Sequence, residues 1–188
     1  YRVLGASPVK TLEVFGYAYL DGLLLPAFTP PVGYDVRNAA MLSVDEAART
    51  ITFKPGMHTV TGDVYIPPGY MVRAVAPLTI DLVKGAHIVS RSPMHWKGLE
   101  DAPIVLRSSD ASGGGLRLIT TGGGNHFEHV RMEGFGAAAD GLASIILQEA
   151  PSTWSGCDLG EVPTRDLVQV VRGTVTFNGC TFTGGGDQ

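Results

Sequence analysis

Residues 64–89 read VYIPPGYMVRAVAPLTIDLVKGAHIV, and the fold class is decided here. Val64-Tyr65-Ile66 is a short run with β-branched ends, and Pro67-Pro68-Gly69 stops it. Proline presets φ and glycine supplies the positive φ of a type II turn. Leu78-Thr79-Ile80-Asp81-Leu82 then alternates with period two, placing Ile80 and Leu82 on one face and Thr79 and Asp81 on the other. Lys84-Gly85-Ala86 makes a smaller corner before His87-Ile88-Val89. The rhythm is strand, corner, strand.

The same rhythm extends in both directions. Ile51-Thr52-Phe53 precedes it. Ile104-Val105-Leu106, Leu116-Arg117-Leu118-Ile119, Val130-Arg131-Met132, Val168-Gln169-Val170-Val171 and Val175-Thr176-Phe177 follow it. Short strands recurring about every twenty residues fit a stacked solenoid better than a sandwich, whose strands run longer between hairpin turns. Asn178-Gly179 resembles a hairpin turn, but Val175, Phe177, Cys180 and Phe182 change phase across it. A β-helix corner does this, letting the strands on both sides point inward. Phe127, Val130 and Met132 repeat the pattern. Ile66, Ile80, Leu82, Ile88, Ile104, Leu106, Leu118, Val130, Met132, Val175 and Phe177 are the expected stacked core, with Phe182 also inward.

Composition agrees. Of 188 residues 25 are glycine, and only 17% are charged against 44% hydrophobic. That balance suits turn-rich β structure and leaves no long charged face for amphipathic helices. A net charge of −4 provides no basic stripe for nucleic acid. No apolar stretch reaches the ~18 residues of a membrane span; Val14 to Phe28 is interrupted by Asp21 and Pro26. The chain opens at Tyr1, as expected of a processed secreted protein or of a partial chain.

Two regions depart from the rhythm. Tyr1 to Ala47 is apolar and proline-containing, and reads as a cap or assembly arm. Ala137 to Val162 reads as an irregular coil with an excursion and a short helix. The organisation expected is therefore an arm over 1–47 and an all-β, right-handed parallel β-helix of about four to five coils over 48–188. Cys157 and Cys180 lie 23 residues apart, close to one coil. They read either as a disulfide, worth roughly 3 kcal/mol in the chain-entropy picture, or as two buried thiols.

Pro55-Gly56, Ile66-Pro67-Pro68-Gly69, Lys84-Gly85-Ala86, Ser92-Pro93-Met94, Gly98, Ala102-Pro103-Ile104 and Ser108-Ser109-Asp110 together resemble bacterial right-handed β-helix proteins of the pectin-lyase-like superfamily. More narrowly, they are similar to secreted β-helix proteins found beside spore-coat-kinase-type genes. The resemblance returns at Thr174 to Asp187. It implies a secreted or cell-surface location and a chain that continues for further coils. Relatives in the superfamily include lyases and hydrolases of acidic polysaccharides, with carboxylates, a basic residue and often calcium on the outer face.

The counterpart here is Glu128, Arg131 and Glu133, beside His126. With Phe127, Val130 and Met132 inward, these charges face out. An arginine can neutralise a substrate carboxylate while a glutamate or histidine removes a proton. The plainer reading is a solvated ion pair. His126, Glu128 and His129 do not make a metal site, because His129 falls at a corner and diverges. Gly134-Phe135-Gly136 through Ala139 imitates a dinucleotide fingerprint without the βαβ unit that gives it meaning. Trp96, Trp154 and Tyr70 are candidates for stacking on sugars or, more plainly, core residues. The expected function is a non-catalytic structural or adhesive module, with a polysaccharide lyase or hydrolase as the alternative. No cofactor is expected, calcium entering only with lyase chemistry. The expected partners are copies of the chain, joined end to end through Tyr1–Ala47 and the last coil into filaments, and extracellular polysaccharide.

Overall fold

A run of three to five extended residues followed by a corner has no length in which to fold back, so each strand finds its partner one coil further along the chain. The computed structural model describes residues 10–13, 29–136, 143–160 and 167–183. There the chain is a parallel β-helix of about five turns. Strand β1 (Lys10–Glu13) comes first, then a 3-10 turn at Val36–Asn38 and β2 (Leu42–Asp45). The first coil is β3 (Thr50–Phe53), β4 (Gly56–Val60) and β5 (Val64–Ile66). The second is β6 (Met71–Val75), β7 (Leu78–Leu82) and β8 (His87–Ser90). The third is β9 (Met94–Lys97), β10 (Ile104–Arg107) and β11 (Gly115–Ile119), and the fourth β12 (Asn125–Glu128), β13 (Val130–Glu133) and β14 (Ile145–Gln148). The fifth is β15 (Ser152–Ser155), β16 (Asp158–Gly160) and β17 (Val168–Val171). Strands β18 (Thr174–Asn178) and β19 (Thr181–Thr183) begin another.

Three sheets result. Sheet A runs β1-β18-β15-β12-β9-β6-β3-β2, sheet B β19-β16-β13-β10-β7-β4, and sheet C β17-β14-β11-β8-β5. Pairing is parallel except at the two edges of sheet A, where β1 meets β18 and β2 meets β3 antiparallel.

In-register stacking turns each inward position into a column. Ile80, Leu106, Met132 and Leu159 stand one above another in sheet B, all buried. Val64, Ile88, Leu116 and Ile145 do the same in sheet C. Inside sheet A the column is aromatic: Ala74, Trp96, Phe127, Trp154 and Phe177. Phe127 lies flat on Trp154, centroids 3.9 Å apart, and meets Trp96 edge-on at 5.7 Å. Ala74 is small enough for Phe53 to reach past it to Trp96 at 5.2 Å. Both tryptophans are therefore core.

Buried polar groups at the corners tie coil to coil, as buried donors and acceptors require. Asn125 accepts from Met94 N–H at 3.0 Å and donates to Pro151 O at 3.0 Å, linking three successive coils. Buried Asp81 accepts from Ser109 N–H at 2.8 Å, and exposed Asp110 accepts from Lys84 N–H at 2.9 Å. The last three corners between sheets A and B each take a left-handed residue: His129 (φ 48°), Gly156 (φ 59°) and Gly179 (φ 59°). At Gly156 the requirement is double, because a Cβ there would lie 2.8 Å from the His129 ring.

The expected core is buried as read except at Phe177, which is half-buried. It stands in the last parallel strand of sheet A, with Trp154 on one side and Phe182 at 5.0 Å. Phe182 does stack over Leu159 in register, yet is 50% exposed. The region read as an irregular excursion is regular where it is described, with Ile145–Gln148 and Ser152–Ser155 as strands. The alternation was masked because outward Ile146 is buried too, in a column with outward Val89 and Arg117. The rest of that region, 137–142 and 161–162, lies outside the described residues, as does 14–28 of the arm. The fold divides the arm between both ends: β1 adds to the last coil, whereas 29–45 sits on the first, burying Val36, Met41 and Leu42.

Candidate functional site

The outward charges of the fourth coil straddle a corner. Glu128 ends β12 on sheet A, while Arg131 and Glu133 belong to β13 on sheet B, with His129 turning the chain between them. Glu128 is 4.0 Å from Lys97 Nζ of the coil below. Arg131 Nε lies 3.4 Å from Asp158 Oδ2 of the coil above. These side chains are exposed, so the pairs carry little stability. The structure brings Arg131 and Glu133 together with Asp158 and Thr183 around a shallow groove of about 260 Å³, and leaves Glu128 outside it. His126 stands apart again, packed edge-on against His95 at 4.7 Å on the face of sheet A. Burial pushes the His95 imidazole below its usual range, against the opposing effect of its hydrogen bond with Gly124 O. Among the described residues no three His, Cys, Asp or Glu side chains converge as a metal would need. Calcium does not suit the groove: it takes six to eight oxygens, and Asp158 is already paired with Arg131.

A larger cleft, of about 560 Å³, lies where the cap meets the first two coils. Tyr34, Tyr65 and Tyr70 line it with Pro67, Pro68 and Arg91. Corner geometry builds it. Pro67-Pro68 turns the chain outward between sheets C and A, so Tyr65 and Tyr70 flank the turn, and the cap lays Tyr34 edge-on to Tyr65 at 5.3 Å. Tyr65 N–H donates to the Tyr34 hydroxyl at 3.0 Å. The other phenols donate to carboxylates, Tyr65 to Asp63 at 2.9 Å and Tyr70 to Glu46 at 2.8 Å. Burial and then the Asp63 carboxylate push the Tyr65 phenol up to about 12, and the bond to Glu46 raises Tyr70. Tyr65 and Tyr70 are thus neutral donors at ordinary pH. Arg49 lies over the Tyr70 ring, 4.1 Å from its centroid. The cleft is therefore a rigid amphipathic surface with no activated nucleophile among these side chains.

Of these residues sequence reasoning singled out Tyr70 alone. The signal that would have found Tyr65 is its place beside Pro67-Pro68; nothing local marks Tyr34, which arrives from the cap. No family model, curated protein or solved structure matches the chain. No helix among the described residues is long and apolar enough to cross a membrane. The parallel β-helix is the class of protein that fold and surface define.

Proposed function

We propose that the chain is a non-catalytic extracellular β-helix of pectin-lyase-like type, secreted or held at the cell surface, with a structural or adhesive role and a tendency to add copies end to end. The observation that carries this reading is the end of the sheet B core column. Ile80, Leu106, Met132 and Leu159 are each at most 1% exposed, and Phe182 above them is 50% exposed. An apolar side chain in that position, on a strand whose outer edge pairs with no further strand among the described residues, favours another β-helical strand over water. Sheet A is edged at both ends by antiparallel strands, whereas sheet B ends on β19 at one side and β4 at the other. Joining β19 of one copy to β4 of the next is a heterologous contact, and it propagates unless it closes on itself. Sedimentation velocity and electron microscopy over a concentration series test this. The expected result is concentration-dependent linear association, lost in Phe182→Asp; a monomer at every concentration would overturn it.

A second reading rests on the groove of Arg131, Glu133 and Asp158, where a lyase or hydrolase of acidic polysaccharide would hold a substrate carboxylate on Arg131 and take a proton with Glu133, Glu128 assisting from across the corner. Substrate must first displace Asp158 from Arg131. Cleavage of pectate or alginate, assayed with and without calcium and lost in Arg131→Ala with circular dichroism unchanged, would establish this reading and defeat the structural one.

A further inference from the structure

The two cysteines occupy the same position in consecutive coils. Each follows the left-handed corner glycine, Gly156 or Gly179, and each points into the core. Ser155 pairs with Asn178 and Asp158 with Thr181, which places Cys157 directly under Cys180. The backbone on either side is bonded: Gly156 N–H donates to Asn178 O at 2.8 Å and Thr181 N–H to Cys157 O at 2.9 Å. Their surroundings repeat with a shift of one coil. Cys157 Sγ is 3.6 Å from Phe127 O and 3.5 Å from Ser155 O, and Cys180 Sγ is 3.4 Å from Trp154 O and 3.7 Å from Asn178 O. Below them the column is aliphatic, Leu78, Ile104 and Val130. Neighbouring strands in register lie about 4.8 Å apart, inside the Cα separation of roughly 4.4–6.8 Å that a disulfide spans. Both thiols are free.

We propose that Cys157 and Cys180 are a reversible disulfide site that staples the final coil to the one beneath it, with a low-molecular-weight disulfide as the oxidant. The two thiols are unequal in a way that orders the chemistry. Cys180 is half-buried, and the adjacent Cys157 thiol lowers its thiol below the ordinary cysteine range. Cys157 is buried, and the adjacent Cys180 sulfur, with desolvation second, holds its thiol well above that range. Thiolate is the attacking species, so Cys180 reacts first. Its sulfur attacks one sulfur of the oxidant, breaking that S–S bond and releasing one thiolate, which takes a proton from water. Cys157 then gives its proton to solvent and attacks the Cys180 sulfur of the mixed disulfide, expelling the second thiolate. Two cysteine thiols are oxidised by two electrons in all, and one disulfide is reduced to two thiols. The bond closes a loop that contains β16, β17 and β18, so the coil with the half-exposed end loses its freedom to fray.

The test incubates the purified full chain with oxidised glutathione, then maps peptides by mass spectrometry without reductant and follows amide hydrogen exchange. The expected product is a cross-linked peptide pair containing Cys157 and Cys180, lighter by two hydrogens than the two thiol peptides. Exchange across β18 and β19 should slow by at least about tenfold and recover on adding dithiothreitol. Cys180→Ser, which keeps a hydroxyl near the Trp154 and Asn178 carbonyls, should show neither change while matching the reduced parent in exchange. Glutathione remaining on Cys180 beside a free Cys157, a bond joining Cys180 of two copies, or cross-linking without slower exchange would each overturn the proposal.

Discussion

The two ends of this β-helix are finished differently. At the first coil, residues from outside the helical repeat turn inward over the core: Val36, Met41 and Leu42 are 7%, 5% and 4% exposed, and β2 pairs with β3. At the last coil β1 likewise pairs antiparallel with β18, yet Phe177 is only half-buried and Phe182 half-exposed. Backbone closure and core closure are separate problems. An antiparallel strand satisfies the N–H and C=O groups of one sheet edge. Covering the core cross-section needs apolar side chains aimed along the helix axis, and among the described residues the cap at the first coil provides them.

Interior, capped end and open end should therefore rank in that order when large side chains are removed. Phe127→Ala, which empties the space between Trp96 and Trp154, should cost about 3–5 kcal/mol, and Leu106→Ala about 2–5 kcal/mol. Urea denaturation measures both. At the capped end Leu42→Ala should cost about 2–3 kcal/mol, because its surroundings are core-like and can relax toward solvent on one side only. At the open end Phe182→Ala should cost less than about 1 kcal/mol. Equal losses at Leu42 and Phe182 would break the comparison, since they would mean that both ends are closed alike.

Acid sharpens the contrast further, with the smallest effect expected. Burial raises the Asp63 carboxyl, but hydrogen bonds from His87 and Tyr65 outweigh it and hold the group below its ordinary value. Asp110, fed first by Lys84 N–H and then by Ser112, is held lower still. A carboxyl depressed by folding contributes stability that is complete above its unfolded pKa, about 4, and is lost as pH falls through its folded value. Both groups staple the first coils together, so melting temperature should decline below about pH 4, with hydrogen exchange rising first around β5, β8 and the Lys84 corner. Asp63→Asn should flatten that decline. An acid limb unchanged in the variant would remove Asp63 from the account.

Much of this architecture was legible residue by residue. The corner at Ile66–Gly69, the alternation of Leu78–Leu82 and the phase change at Asn178-Gly179 each put strands and corners where the structure has them, because turn chemistry and period-two burial are local properties. Where the outer face was also buried, at Ile146, alternation disappeared and a strand looked like something irregular. The outward set was legible only as a list of charges. Glu128 and Arg131 are near neighbours in the chain, but a left-handed His129 sends them to different sheets, and it is Asp158, a coil away, that Arg131 meets.

By itself, then, the sequence determined that this chain would coil, which residues would face inward, and that Cys157 and Cys180 would stand about one turn apart. Only the tertiary structure decided what each inward residue stacks on, since register is set by corner lengths summed around a whole coil. That is how an aromatic column emerges from Trp96, Phe127, Trp154 and Phe177, spaced unevenly in the chain yet one above another in sheet A. It also decided that β1 would join the last coil and that Tyr34 would meet Tyr65. Those contacts join residues distant in sequence, and no local propensity encodes a partner that only the finished stack brings within reach.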